Sequence, residues 1–206
     1  MVTITVSKEL YLRMKSYGWR DWFVDVYHRM FSNKTIKYDV REFLIEQCYT
    51  FINDLKPKFK HTFNEPDKLI VEIQKWVYKN IDYLSDYIHH QKPEHWSNVR
   101  FTLQEKAGDC EDGAVLIYVL ARQAGISPLQ MGIMCGDVSD GTTGGTGGHC
   151  WVEYYSMDLK DTFKIDWCYH GDFRPLEQRD HTRDNFYKKN WWPTRVNDIK
   201  LKIKRI

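Results

Sequence analysis

The apolar pattern of this chain changes period once in its second half, and that change constrains the fold more than any other feature. From Cys110 onward, Val115, Leu116, Val119 and Leu120 form a helical stripe that stops at Gly125, where a C-cap glycine would end a helix. Three runs of strand character follow, Gln130–Cys135, His149–Tyr155 and Thr162–Tyr169, with the glycine-rich segment Gly141–Gly148 between the first two. A helix followed by consecutive strands predicts an α+β domain in which the helix packs on an antiparallel sheet.

Upstream, Asn64-Glu65-Pro66-Asp67 is a helix start, and Ile70, Ile73, Val77, Ile81 and Leu84 then line one face. From His89 to Leu103 the periodicity lapses around Pro93, which reads as a loop leading into Lys106–Cys110 and leaves Cys110 at a helix amino terminus. Near the amino terminus, Val2–Val6 alternates as a short strand and Lys8–Phe31 has helical spacing. After a break at Ser32–Lys34, a second helical stretch, Val40–Leu55, stops before Pro57. The expected organisation is a helical extension over residues 1–62 and a main domain over 63–206. In the tail, Ile199–Lys204 alternates strictly, as an edge strand with one lysine face would.

Composition excludes several classes. A chain of 206 residues can bury one sizeable core. With 30 basic and 28 acidic side chains the net charge is +2, which supplies no general attraction to nucleic acid or to an anionic membrane. Neither a long apolar run nor a basic leader followed by an apolar one is present, so a cytoplasmic or other intracellular location is expected. The five cysteines, at positions 48, 110, 135, 150 and 168, are odd in number and lack paired spacing, which favours a reducing compartment over a disulfide framework. For the same reason Cys135, His149, Cys150 and Cys168 make a poor zinc set. The glycine segment lacks the lysine of a phosphate-binding loop and precedes a strand, so a flexible loop or lid is expected there.

A thiol reacts as thiolate, and a helix amino terminus favours negative charge, so Cys110 occupies a suitable position for a nucleophile. Asp109 is a helix-start residue, and Gly108 allows close approach of a backbone or substrate. A hairpin with its turn at Ser156–Leu159 would set His149 opposite Asp166, giving an imidazole base with a carboxylate to orient it. The competing reading makes Cys110 a small buried apolar residue and the His149–Asp166 pair a structural polar contact.

Three blocks carry a resemblance: Gly108-Asp109-Cys110-Glu111-Asp112 with a helix ending Ala124-Gly125-Ile126, then Gly148-His149-Cys150-Trp151-Val152-Glu153, then Lys164-Ile165-Asp166. Together with the preceding helix and its Asn80-Ile81-Asp82-Tyr83, they resemble the transglutaminase-like superfamily over residues 67–170. The Gly-Asp-Cys-Glu-Asp form is most similar to the bacterial transglutaminase-like cysteine proteinase branch. The resemblance implies a papain-like fold with Cys110 as nucleophile, His149 as base and Asp166 as orienter, and neither metal nor organic cofactor. It implies hydrolysis of a peptide or amide in a protein or peptide substrate through a thioester. The alternatives are protein-glutamine acyl transfer, or a structural or docking protein that retains the fold. For the oxyanion, the backbone N–H of Cys110 would be joined by Gln104, spaced as in papain-like proteases, or by Trp96, an upstream aromatic donor as in transglutaminase relatives. Residues 1–62 and the tail after Arg174 fall outside the resemblance. The aromatic stretch Tyr11, Tyr17, Trp19, Trp22, Phe23, Tyr27 and Phe31 would suit docking to a larger assembly such as a virion.

Overall fold

Two short strands rich in β-branched residues pair antiparallel near the amino terminus, β1 (Thr3–Ser7) with β2 (Thr35–Asp39). A computed structural model of the chain describes residues 3–7, 35–39, 47, 65–91, 95–141, 143 and 145–195. β1 lies one residue along from the predicted strand, and β2, which falls between the two predicted helical stretches, is an addition to the sequence reading. The predicted helix Lys8–Phe31 lies outside the described residues. Within Val40–Leu55 only Gln47 is described; it is helical and buried, and its Oε1 accepts from the Val99 N–H at 3.0 Å.

Helix α1 (Pro66–Asn80) begins with proline in its first turn, where no N–H is needed, and buries Ile70, Ile73 and Val77 as the sequence pattern predicts. Asp67, in the same turn, accepts from the Tyr154 and Ser156 hydroxyls, each at 2.6 Å, and so ties the helix to the sheet. A two-residue strand, β3 (Asp82–Tyr83), pairs in parallel with β4 (Ala107–Gly108). Between them the predicted loop instead carries two helices, α2 (Asp86–His90) and α3 (Val99–Glu105). Both are too short to show a stripe in the sequence. Asn98 caps α3 by accepting from Phe101 N–H at 2.9 Å, and Lys106, at φ 53°, ends it. Helix α4 (Cys110–Gln123) is buried along most of its length and is followed by Gly125 at φ 94°, the C-terminal glycine foreseen from the sequence.

The sheet contains β5 (Met131–Ser139), β6 (Thr146–Ser156), β7 (Asp161–Ile165) and β8 (Tyr187–Arg195), antiparallel in the order β7-β6-β5-β8. One face, with Ile133, Cys150, Val152 and Tyr154, packs on α1 and α4. The other buries Met134, Val138 and Trp151 with Phe186 and Tyr187 against them. β6 takes in Gly147 and Gly148, so the glycine segment is half strand. Just before it, Asp140 N–H donates to the Gly145 carbonyl at 3.1 Å. Strand β8 was not foreseen from the sequence; it lies at the sheet edge, where Pro193 is tolerated. The predicted edge strand at Ile199–Lys204 lies outside the described residues.

The β6–β7 turn differs from expectation. Ser156 pairs with Asp161 and Val152 with Ile165, so the turn is Met157–Lys160, one residue later than predicted. Lys160 takes φ 55°, and Ser156 Oγ accepts from Leu159 N–H at 2.9 Å. Moving the turn by one residue displaces the pairing by two, which leaves every side chain on its predicted face.

Candidate active site

Asp166 is the polar hub of the site. Its strand ends at Ile165, shorter than the predicted run to Tyr169, because the carboxylate gathers the next backbone groups: Oδ1 accepts from Cys168 N–H at 3.1 Å and Oδ2 from His170 N–H at 3.1 Å. Oδ2 also meets His149 Nε2 at 2.8 Å and accepts from the Tyr187 hydroxyl at 2.7 Å. Burial pushes the Asp166 carboxyl up, but the hydrogen bond and charge of His149, the Tyr187 hydroxyl and the His170 amide outweigh it, and the result lies at about 2. On its backbone side, Gln74 Nε2 donates to the Asp166 carbonyl at 2.6 Å, and Arg179 Nη2 donates to Gln74 Oε1 at 3.0 Å.

His149 is 6% exposed and stacks near Trp151 and Tyr169. With Nε2 committed to Asp166, Nδ1 is the ring nitrogen left to exchange a proton. The structure therefore brings His149 and Asp166 into direct contact, although the β6–β7 ladder ends one pair before it would include Asp166.

Cys110 is the first residue of α4, as predicted, and packs beside the core next to Cys150, the residue that follows His149. Asp109 occupies the N-cap position without a side-chain capping bond. The Cys110 thiol donates to Glu111 Oε2 at 3.1 Å. Burial, then the charges of Asp109 and Cys168, push the thiol well up, with Glu111 and the Cys150 backbone amide opposing them. These surroundings favour the protonated thiol. Trp167 holds it from behind: its Nε1 donates to the Cys110 carbonyl at 3.3 Å, and its ring fills the space a side chain on Gly113 would take. Tyr83 pairs with Gly108 and is half-exposed. Its phenol is pushed up first by burial and then by the charges of Cys110 and Cys168.

Of the proposed oxyanion residues, Gln104 is exposed on α3 and Trp96 is buried in the core. The conjectured zinc set separates: Cys135 and Cys150 face each other across β5 and β6 with sulfurs 3.2 Å apart, while Cys168 joins His149 and Asp166 in a group whose donor atoms lie within 4.8 Å. His170 places Nε2 2.6 Å from the Ser139 carbonyl and serves as a strut. Tyr187, Trp167 and Glu111 had no foreseen role. Only the aromatic run Phe186–Trp192 hinted at the strand that delivers Tyr187.

The site thus holds a buried imidazole–carboxylate pair on the sheet and a cysteine that opens a helix. The profile of the transglutaminase-like superfamily matches residues 54–169, and the chain belongs to that superfamily. Among solved structures, LapG from Legionella pneumophila, treated with EGTA, is similar at 16% identity and a TM-score of 0.49, covering 77% of this chain and 76% of its own. A Cytophaga hutchinsonii protein described as a candidate cysteine protease is similar at 19% identity and a TM-score of 0.44, covering 78% of this chain and 45% of its own. No curated protein matches the chain. Among the described residues no helix is long and apolar enough to cross a membrane.

Proposed function

We propose that this protein is a cysteine-nucleophile hydrolase of the transglutaminase-like cysteine proteinase kind, cleaving a peptide or amide bond in a protein or peptide substrate. The observation that carries the reading is the buried 2.8 Å contact of His149 with Asp166, next to a cysteine at the start of α4. For the reaction the Cys110 thiol leaves Glu111 and passes its proton to His149. As sulfur attacks the carbonyl carbon, Nδ1 takes its proton. The tetrahedral intermediate then collapses, the C–N bond breaks, and His149 returns the proton to the departing amine. Water attacks the thioester by the same route. Asp166 holds the ring and stabilises its cationic form, and the Cys110 backbone N–H supplies one oxyanion donor. Because burial and Asp109 keep the thiol protonated at rest, proton transfer accompanies attack instead of preceding it.

The test is cleavage of a mixed peptide library read by mass spectrometry. Cleavage lost in Cys110→Ser and lowered on the order of 10²–10⁴-fold in His149→Ala supports the proposal. Cleavage by neither wild type nor variants, or equal cleavage by all three, contradicts it.

A further inference from the structure

Cys135 of β5 and Cys150 of β6 stand directly opposite each other in the ladder, with their sulfurs 3.2 Å apart. Both are free thiols; Cys150 is buried and Cys135 is half-buried. Opposed residues of antiparallel strands have Cα atoms about 4.5–5.5 Å apart, inside the span of about 4.4–6.8 Å that a disulfide bridges. A bond of about 2.05 Å therefore asks the sulfurs to approach by roughly an ångström, without refolding of either strand. On the other edge of β5, the ladder with β8 is irregular between Cys135 and Gly136, which gives β5 room to yield there. The pair also borders the site. Cys150 follows His149 in the chain, and its backbone amide faces the Cys110 sulfur and favours the thiolate there.

We propose that Cys135 and Cys150 are a redox modification site, which a small-molecule disulfide such as oxidised glutathione converts to a cross-strand disulfide that lowers the reactivity of Cys110. Cys135, the more exposed of the two, loses its proton to solvent and attacks one sulfur of the oxidant, whose S–S bond breaks and releases one thiolate. Cys150 then gives up its proton and attacks the Cys135 sulfur; the mixed disulfide breaks and a second thiolate leaves. Two cysteine thiols are oxidised, and one small disulfide is reduced to two thiols. Burial pushes the Cys150 thiol well up, which suits it to the second, intramolecular step. Closing the bond draws Cys150 toward β5 and shifts the strand segment that carries His149 and backs Cys110. A displacement near 1 Å in a reacting constellation costs on the order of 10²-fold, so the reduced pair is the form in which the site is assembled. The bond and its effect on Cys110 do not depend on the proposed hydrolysis.

The test uses the full chain, reduced with dithiothreitol, desalted and then held in oxidised glutathione. Peptide mapping by mass spectrometry locates the disulfides, and the rate constant for iodoacetamide on the Cys110 thiol is measured before oxidation, after it, and after renewed reduction. The expected result is a linked Cys135–Cys150 peptide as the main disulfide product, with the Cys110 rate constant lowered at least about tenfold and restored by dithiothreitol. Cys135→Ser should keep the rate of the reduced protein under the same treatment, with Cys135→Ala standing in if serine disturbs the circular dichroism spectrum. The linked peptide is read whether or not the protein cleaves peptides, so failure of the hydrolase reading leaves this result legible. Absence of the linked peptide, a Cys110 rate constant unchanged once it has formed, or equal slowing in a folded Cys135 variant would overturn the proposal.

Discussion

Asp166 Oδ2 lies 2.8 Å from His149 Nε2, although the last ladder pair between their strands joins Val152 to Ile165. Asp166 stands one residue past the ladder and reaches diagonally along β6, a distance within range for same-face neighbours. The contact thus depends on how the chain leaves β7 as well as on register, and the carboxylate itself organises that exit by gathering the amides of Cys168 and His170.

Asp166→Asn keeps the shape of the side chain and removes its charge. The imidazolium formed during attack loses its counter-ion, so kcat should fall on the order of 10²–10⁴-fold with KM little changed. Steady-state kinetics on a cleaved peptide checks this.

The same group makes a stability prediction. Its folded-state pKa is about 2, below the ordinary 3.8, so its contribution to stability is present above the ordinary value and is lost as pH falls from about 4 toward 2. The depression corresponds to about 2 kcal/mol. Urea unfolding at several pH values should show the stability gap between wild type and Asp166→Asn narrowing across that window; a constant gap would refute the linkage.

Tyr187→Phe removes the hydroxyl that donates to Asp166 Oδ2 at 2.7 Å and leaves the ring in its cluster. A loss of about 1–2 kcal/mol in unfolding free energy is expected, with a smaller fall in kcat than Asp166→Asn gives. Denaturant titration and kinetics on the one variant measure both.

Gly113→Ala should destabilise. Alanine within a helix is ordinarily the better residue, but a Cβ here would run into the Trp167 indole at Nε1. Displacing the indole that holds the Cys110 carbonyl should lower stability by about 1–3 kcal/mol, seen as a reduced Tm.

The switch from helical to alternating periodicity announced α4 and the sheet, and the motifs around Cys110, His149 and Asp166 pointed to the site. What stayed hidden depends on contacts distant in sequence or on conformations the pattern does not encode. The β6–β7 turn was misplaced by one residue because Lys160 adopts a left-handed conformation that lysine does not advertise. Helices α2 and α3 are too short to show a stripe, although Asn98 was a usable capping signal. Strand β8 begins in an aromatic run without alternation, so the hydroxyl of Tyr187 on Asp166 had no sequence signature.

The most direct test of the account is the rate at which iodoacetamide alkylates Cys110 at fixed pH in wild type and in a folded His149→Ala variant, with the modified residue located by mass spectrometry. The account predicts that Cys110 reacts ahead of Cys135, Cys150 and Cys168 in the wild type, and that its rate falls at least about tenfold without the imidazole. Equal rates in the two proteins, or alkylation of Cys110 no faster than of the other cysteines, would contradict it.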